Sequence, residues 1–160
     1  PIFAATIARF SHVCQLVATC DLAVASSEAR FCTPGVHIGL FCSTPMVALS
    51  RNVANKFAME MLLTGDLTTA ARAAEIGLIN RAVATEALRD ATMLMARKIA
   101  FKSSMTLATG KSAYYAQREM ELSDAYVYAS GVMVENMLTS DAEEGISAFI
   151  QKRAPKWQDM

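Results

Sequence analysis

Few side chains in this sequence could take part in acid–base or nucleophilic chemistry. His12 is one of two histidines and stands just before Cys14–Thr19, an apolar segment that predicts a short helix. An imidazole there could exchange protons near neutral pH, although a lone histidine is more often an ordinary surface or packed residue. No Ser/His/Asp set, phosphate-binding glycine loop or obvious carboxylate pair accompanies it. The reactive residue types therefore do not define a reaction by themselves.

The cysteines are the other reactive groups. Cys14, Cys20, Cys32 and Cys42 lie in apolar surroundings and lack the paired spacing of zinc sites. Buried, reduced thiols in a reducing compartment are the expectation, and disulfides or a metal site are the less common alternatives. We therefore expect no metal centre.

A strand and a turn at the centre of the first half would position any functional group. Asp21–Ser26 predicts a short buried strand, because larger apolar residues alternate with small ones. Phe31–Cys32 resumes an extended path into the turn at residues 33–35, where Pro34 fixes its own φ and Gly35 permits a sharp bend. A turn after a strand is a usual place for a functional side chain, and this turn offers only Gly35.

The remaining elements are strands at the start and helices at the end. Pro1–Ala5 and Leu78–Val83 predict strands, and helical spacing of apolar residues begins at about Glu86. Ser140 and Glu143 form a sequence pattern typical of a helix capping box. A basic tail follows the last helix.

Composition limits the classes of function. The 160 residues carry zero net charge and no basic run, which argues against nucleic-acid binding. Apolar residues make up 53% and charged residues 19%, so the chain is more apolar than a typical soluble domain. No apolar run is long enough to cross a bilayer. We therefore expect the chain to bury surface against copies of itself or a missing segment.

Four motifs in one order carry a family resemblance. They are CDLAVAS, F-x-T-P-G-x-x-I-G-L, M-x-L-T-G-D-x-x-x-A-x-x-A-x-x-x-G-L-I-N and D-A-x-E-G-I-x-A-F-x-x-K-R. Together they resemble the crotonase family, the enoyl-CoA hydratase/isomerase superfamily, from Cys14 to Trp157. Within that family, TPGVHIGLFCSTP is most similar to a subgroup, the enoyl-CoA hydratase domain-containing protein 3 type.

The resemblance implies an α/β fold with two parts. Residues 1–83 would form the C-terminal part of a crotonase-like β-β-α spiral, and residues 84–160 a helical region that makes trimers or dimers of trimers. The resemblance also implies that the family's N-terminal strands are absent from this sequence. Their absence would leave a sheet edge and one side of the core open.

The resemblance further implies a coenzyme A thioester as substrate or ligand, with no other cofactor. Two backbone N–H groups would polarise its carbonyl, and one falls at about His12, where a helix N-terminus suits an enolate anion. Phe149, Lys152, Arg153 and Lys156 match a stretch that lies near coenzyme A in the family. Lys152 or Lys156 could pair with a phosphate as a point charge; the alternative is a solvated basic tail.

Three features depart from the family's hydratases. The two glutamates that handle water and proton correspond to Gln15 and Gly35, and neither residue type exchanges protons usefully near neutral pH. The glycine-rich donor loop is replaced by the atypical segment Thr6–Val13, and the N-terminal strands are missing. We therefore expect a protein of acyl-CoA metabolism without hydratase activity, or alternatively a non-catalytic oligomerising or acyl-CoA-binding protein. It would be cytoplasmic in a bacterium and in the mitochondrial matrix in a eukaryote.

Overall fold

A computed structural model describes residues 1–5 and 11–159 of the chain. It divides into two compact units, the first covering Pro1–Ala96 and the second Arg97–Met160. The different roles predicted for residues 1–83 and 84–160 are not decided by this division and stay predictions. Among the described residues the elements are β1 (Ile2–Ala5), α1 (Ser11–Thr19), β2 (Leu22–Ser26), β3 (Arg30–Phe31), α2 (Ser43–Asn52), α3 (Asn55–Thr64), β4 (Thr68–Thr69), α4 (Ala70–Glu75), β5 (Arg81–Val83), α5 (Leu88–Ala100), α6 (Ser104–Gln117), α7 (Leu122–Met137) and α8 (Ser140–Ile150).

A small parallel sheet forms the centre of the first unit. Its strand order is β1-β2-β5, with Ile2 opposite Leu22 and Val24 opposite Arg81. Parallel neighbours need a crossover between them, and α1 supplies the one between β1 and β2. The predicted strands at Pro1–Ala5 and Asp21–Ser26 are confirmed, with β2 beginning at Leu22.

The predicted strand at Leu78–Val83 is shorter than expected. The backbone N–H groups of Leu78 and Ile79 both donate to the carbonyl of Ala73, which holds this segment against the end of α4. Asn80 then joins the sheet, because its N–H donates to the Ala23 carbonyl (2.8 Å) and its Oδ1 accepts from the Ala23 N–H (2.7 Å). Regular strand geometry begins only at Arg81.

The core of the first unit lies around β2, α1 and the antiparallel pair of β3 and β4. Residues from seven elements and their connections are buried there: Ala5, Cys14, Val17, Ala18, Ala23, Ala25, Ala29, Phe31, Cys42, Leu49, Val53, Ala58, Met61, Leu62, Ala70, Ala73, Ile76, Leu78 and Ile79. Gly65 at the end of α3 has a left-handed backbone (φ 68°), and the Thr69 hydroxyl oxygen accepts from the Arg72 N–H to cap α4. The left-handed glycine that ends α3 and the threonine that caps α4 are both residue types that favour these helix ends.

The second unit is helical and contains α6, α7 and α8. Ser103 caps α6, since its hydroxyl oxygen accepts from the Thr106 N–H at 3.1 Å. The capping box predicted at Ser140 and Glu143 is wrong by one residue. Thr139 is extended (φ −82°, ψ 153°) and its hydroxyl oxygen accepts from the Ala142 N–H, so Ser140 is already helical.

Much of the apolar surface of the second unit is exposed. No described residue of α6 or α7 is fully buried. The exposed apolar side chains of these helices and α8 include Leu107, Tyr114, Tyr115, Leu122, Tyr126, Val127, Met133, Val134, Met137, Ile146, Phe149 and Ile150. The helical character expected for this region is confirmed; its role in trimers stays a prediction.

Candidate functional site

The first predicted site residues lie on α1. His12 is exposed in the first turn of this helix, where N–H groups have no acceptor within the helix. Gln15 is half-buried one turn further on, and its carbonyl accepts from the Thr19 hydroxyl at 2.8 Å. The helix N-terminus supplies the oriented donors that the His12 prediction requires, and that prediction stays untested.

Three buried thiols connect α1 to the site loop, which we define as residues 33–42. Cys14 on α1 lies close enough to Cys32 and Cys42 for the thiols to interact electrostatically. Burial raises the pKa of Cys14 to about 12, and the two neighbouring thiols act in the same direction. Burial and Cys42 also raise the pKa of Cys32. Cys14 and Cys32 are therefore protonated at neutral pH. All four cysteines are free thiols, and Cys14, Cys32 and Cys42 are buried.

Gly35 lies against the thiol of Cys42. A Cβ atom at Gly35 would be 2.6 Å from the Leu40 carbonyl oxygen and 2.8 Å from Cys42 Sγ. Real Cβ atoms do not approach other heavy atoms so closely. The space that a side chain at position 35 would need is therefore occupied by the loop's own backbone and a thiol.

Two hydrogen bonds join the site loop to α3. The buried Thr33 hydroxyl donates to the Met61 carbonyl at 2.7 Å. His37 Nε2 lies 3.3 Å from the Gly65 carbonyl oxygen. Pro34–Ile38 forms one 3₁₀ helix that starts directly after Thr33, contains His37 and is followed by Gly39 with a left-handed backbone (φ 75°). The loop is thus held at both sides of Gly35.

The thiols give a first testable prediction. Cys20 is partly exposed, whereas Cys14, Cys32 and Cys42 are buried. Because alkylation needs an accessible thiolate, iodoacetamide at pH 8 should label Cys20 first, while Cys14 should react at least about a hundredfold more slowly. Peptide mass spectrometry over time measures the order. Labelling in denaturant, where all four should react, is the control, and native labelling of Cys14 as fast as Cys20 would contradict the buried cluster.

The tail, residues 151–159, is bound to α8 rather than loose. The Arg153 guanidinium makes two hydrogen bonds to the Glu144 carboxylate, at 2.6 and 2.8 Å, and the Lys156 N–H donates to the same carboxylate at 2.7 Å. Hydrogen bonds from Arg153 and Lys156, together with the charge of Arg153, hold the pKa of Glu144 at about 2. These contacts persist down to pH values well below the ordinary pKa of a glutamate and are lost as pH falls through about 2.

Asp141 and Trp157 complete the attachment. Asp141 is buried and its two oxygens accept from the Gln158 and Asp159 N–H groups at 2.7 and 3.1 Å. These bonds and one from Ser103 lower the pKa of Asp141. The Trp157 indole N–H donates to the Phe101 carbonyl at 2.7 Å, and its ring packs on Gly145.

The predicted coenzyme A contacts Phe149, Lys152 and Lys156 are all exposed near this tail. Phe149 is 85% exposed on α8. Lys152 has a left-handed backbone (φ 53°) directly after α8. The structure therefore places the three residues in the second unit, and His12, Gln15 and Gly35 in the first.

Two pockets of the first unit lie away from the predicted site residues. One of about 410 Å³ is lined by Ala4, Thr85 and the first half of α5. Another of about 240 Å³ lies between α3 and α4. Neither pocket is lined by Gln15 or Gly35, and among the described residues no group of histidines, cysteines and carboxylates could hold a metal ion.

Comparison with known proteins decides the family. The sequence profile of the enoyl-CoA hydratase/isomerase family matches residues 10–160. The chain belongs to the enoyl-CoA hydratase/isomerase family. Its resemblance to the domain-containing protein 3 type is also confirmed, since it is 51% identical over 144 residues to the rat mitochondrial enoyl-CoA hydratase domain-containing protein 3. That alignment covers 90% of this chain and 48% of the rat protein.

Solved structures of family members share the fold. An enoyl-CoA hydratase from Mycobacterium smegmatis superposes with a TM-score of 0.93 at 48% identity, covering 98% of this chain and 62% of that one. Human enoyl-CoA hydratase domain-containing protein 3 gives a TM-score of 0.89 at 48% identity, covering 94% and 59%. The α/β crotonase-like fold is confirmed, and the chain spans about half the length of the curated relatives it matches.

The sequence analysis did not predict two structural contacts of this chain, one at Cys42 and one at Glu144. Cys42 was recognised only as a buried thiol, although its sulfur fills the space beside Gly35. Glu144 was not singled out, although it holds Arg153 and the Lys156 backbone. The sequence contained one signal for the second feature, because Glu144 lies inside the D-A-x-E-G motif and a basic run follows.

No helix among the described residues is long and apolar enough to cross a membrane.

Proposed function

We propose that this family member is part of an acyl-CoA-binding protein of fatty acid metabolism that lacks hydratase activity. The observation that supports this most directly is the space at position 35. By the family resemblance, Gly35 and Gln15 stand where hydratases have their two glutamates. A carboxylate at position 35 has no room beside Leu40 and Cys42. The proton transfers that hydration needs have no carboxylate at either position.

Binding of a thioester does not require those carboxylates. The first turn of α1 presents N–H groups and the positive end of the helix dipole, both of which stabilise negative charge on a carbonyl oxygen. The His12 N–H belongs to this turn. We therefore propose that polarisation of the thioester carbonyl at α1 remains possible after hydration chemistry has been lost. Any reaction would depend on oxyanion stabilisation rather than on a side-chain acid or base.

A second candidate is a non-catalytic oligomerising protein. The many exposed apolar side chains of α6, α7 and α8 favour it, because exposed apolar surface often marks a contact with another protein. Copies of the same chain, as trimers or dimers of trimers, are the partners the resemblance implies. The two candidates are compatible, since an oligomer could also bind acyl-CoA.

A mitochondrial location is proposed from the names of the rat and human relatives.

One experiment tests both candidates on the full-length protein. We expect calorimetry to detect butyryl-CoA binding, while crotonyl-CoA loses none of its enoyl absorbance during incubation. An active enoyl-CoA hydratase at the same concentration is the positive control. Crotonyl-CoA hydration that disappears in Gln15→Ala would overturn the proposed loss of activity. Absence of acyl-CoA binding, with a discrete trimer in light scattering, would favour the non-catalytic oligomer.

A further inference from the structure

The site loop lies between the beginning of α1 and the end of α3. On the α1 side, Cys14 interacts with Cys42, the last residue of the loop, and with Cys32, which directly precedes the loop. On the α3 side, the 3₁₀ helix of the loop packs against α3. Under the proposed function the first turn of α1 polarises the thioester carbonyl. The position of the loop between these two helices therefore sets the space beside that carbonyl.

The start of the loop is fixed by a carbonyl group in the last turn of α3. The Thr33 side chain is fully buried, and its hydroxyl donates to the Met61 carbonyl at 2.7 Å. The same carbonyl accepts from the Gly65 N–H at 3.1 Å, the bond that closes the end of α3. A carbonyl oxygen has two lone pairs and accepts both bonds. One carbonyl thus ends α3 and holds the beginning of the site loop.

The other end of the 3₁₀ helix contacts Gly65 directly. His37 Nε2 lies 3.3 Å from the Gly65 carbonyl oxygen, and because a carbonyl oxygen only accepts, the ring nitrogen is the donor. A Cβ atom at Gly65 would be 2.9 Å from His37 Nε2 and 3.0 Å from Val36 Cγ2. The glycine that ends α3 therefore also lets the site loop approach the helix.

We propose that Thr33 is a positioning residue, which sets the spacing between the site loop and the first turn of α1 and thereby the recognition of the acyl group. This inference rests on the proposed function. Thr33 does not touch the ligand in this arrangement, because its buried hydroxyl is bonded to Met61. It acts through Gly35, two residues further along the loop. His37 supports the same spacing from the other end of the 3₁₀ helix.

The proposal makes the acyl group, rather than coenzyme A as a whole, the part of the ligand that depends on Thr33. The acyl group is attached to the carbonyl that α1 polarises, and free coenzyme A lacks both groups. A displaced site loop therefore weakens binding of an acyl-CoA and leaves binding of free coenzyme A unchanged. Groups that support a binding site from behind control affinity in this way, because small displacements of the contacting segment are sufficient.

The alternative is that the Thr33 hydrogen bond only stabilises the first unit. Loss of this bond then lowers the midpoint of denaturant unfolding, because the Met61 carbonyl loses a buried donor. Variants that are still folded would bind coenzyme A and butyryl-CoA as the wild-type protein does. The ratio of the two affinities is therefore a property that a purely structural role leaves unchanged.

The decisive measurement is the ratio of the affinities of the full-length protein for butyryl-CoA and free coenzyme A, by calorimetry with competition for the weaker ligand. Thr33→Val removes the donor and keeps the shape of the side chain. We expect it to bind butyryl-CoA about tenfold more weakly and coenzyme A unchanged. Thr33→Ser keeps the hydroxyl and should restore the wild-type ratio.

Thr64→Val is the matched control, because it removes an exposed hydroxyl that donates to the Glu60 carbonyl within α3. It should leave the ratio unchanged. Circular dichroism verifies that each variant is folded. Should Thr33→Val unfold, His37→Phe removes the donor at an exposed position instead, and His37→Gln keeps an amide donor there. We expect about a threefold weaker affinity for butyryl-CoA in His37→Phe and the wild-type affinity in His37→Gln.

The outcomes separate this inference from the proposed function. A folded Thr33→Val protein with the wild-type ratio overturns the positioning role alone. Equal losses of affinity for both ligands also overturn it, because the acyl group would then not be the part affected. A ratio that Thr33→Ser does not restore overturns it as well, since the hydroxyl would not be the cause. A wild-type protein that does not bind butyryl-CoA overturns the proposed function, and this inference with it.

Discussion

Gly35→Glu is expected to disrupt the site loop and to create no hydratase. The first atom of any side chain at this position meets the Leu40 carbonyl oxygen at 2.6 Å and Cys42 Sγ at 2.8 Å. Gly35→Ala already adds that atom and should lower the free energy of unfolding by about 1–3 kcal/mol, the usual cost of overpacking. Glutamate adds a charged group as well, so its effect should be larger. Denaturant unfolding followed by circular dichroism measures both.

Gly131→Ala is the matched control for this substitution. Gly131 lies in α7 with nothing within 4 Å of the position of a new Cβ. The same chemical change should therefore stabilise the helix by about 0.5–1 kcal/mol. Adding Cys42→Ala to Gly35→Ala should restore part of the lost stability, because it removes one of the two close contacts. A Gly35→Ala protein as stable as wild type would contradict the described loop.

The close contacts at Gly35 also limit any attempt to introduce hydratase activity by substitution. Gln15 is half-buried on α1, and Gln15→Glu is nearly isosteric, so that substitution alone should be tolerated. The double variant Gln15→Glu, Gly35→Glu should nevertheless hydrate no crotonyl-CoA, because the second carboxylate cannot be placed without moving the Leu40 backbone. On the proposed function, hydration chemistry is therefore absent because of loop shape as well as residue type.

The ends of several elements follow from local sequence signals. Gly65 after α3, Thr69 before α4 and Ser103 before α6 each act through neighbours within four residues. The capping box at Ser140 failed by one residue because Thr139, directly before it, offers an equivalent hydroxyl. Two adjacent cap residues cannot be ranked without knowing which one has extended backbone.

Long-range contacts at the site could not be predicted. Thr33 bonds to the carbonyl of Met61, 28 positions later, and nothing in either residue type indicates that partner. The turn was expected to offer only Gly35, and its glycine was explained by the sharp bend alone. The fold adds a second reason, because it brings the Leu40 carbonyl oxygen and the sulfur of Cys42 beside Gly35.

The family, in contrast, came from motifs rather than from physical patterns. Periodicity and composition indicated a small α/β start and a helical end, which many folds share. The ordered motifs from CDLAVAS to D-A-x-E-G limited the fold to one, and the structural comparison agrees. Contacts inside a motif still needed coordinates, since the pairing of Glu144 with Arg153 depends on the chain reversing after α8.

Phe31→Ala is expected to have the largest effect on stability of any single core substitution proposed for this chain. Phe31 is fully buried in β3, opposite Thr68 of β4, and joins the core that also contains Cys14 and Leu49. Truncating a buried phenylalanine to alanine typically costs about 3–5 kcal/mol, through lost transfer free energy and the cavity left behind. Since domains are stable by only about 5–15 kcal/mol, much of the first unit's stability would be lost.

Phe149→Ala is the control, because it removes the same atoms from a side chain that is 85% exposed. It should change the free energy of unfolding by less than about 0.5 kcal/mol. The pair also separates structure from ligand binding. Phe31→Ala should weaken acyl-CoA binding only where the protein unfolds, whereas weaker binding by a fully stable Phe149→Ala protein would support a direct contact. Equal stability losses in both variants would contradict the burial of Phe31, because the two substitutions differ only in where the ring lies.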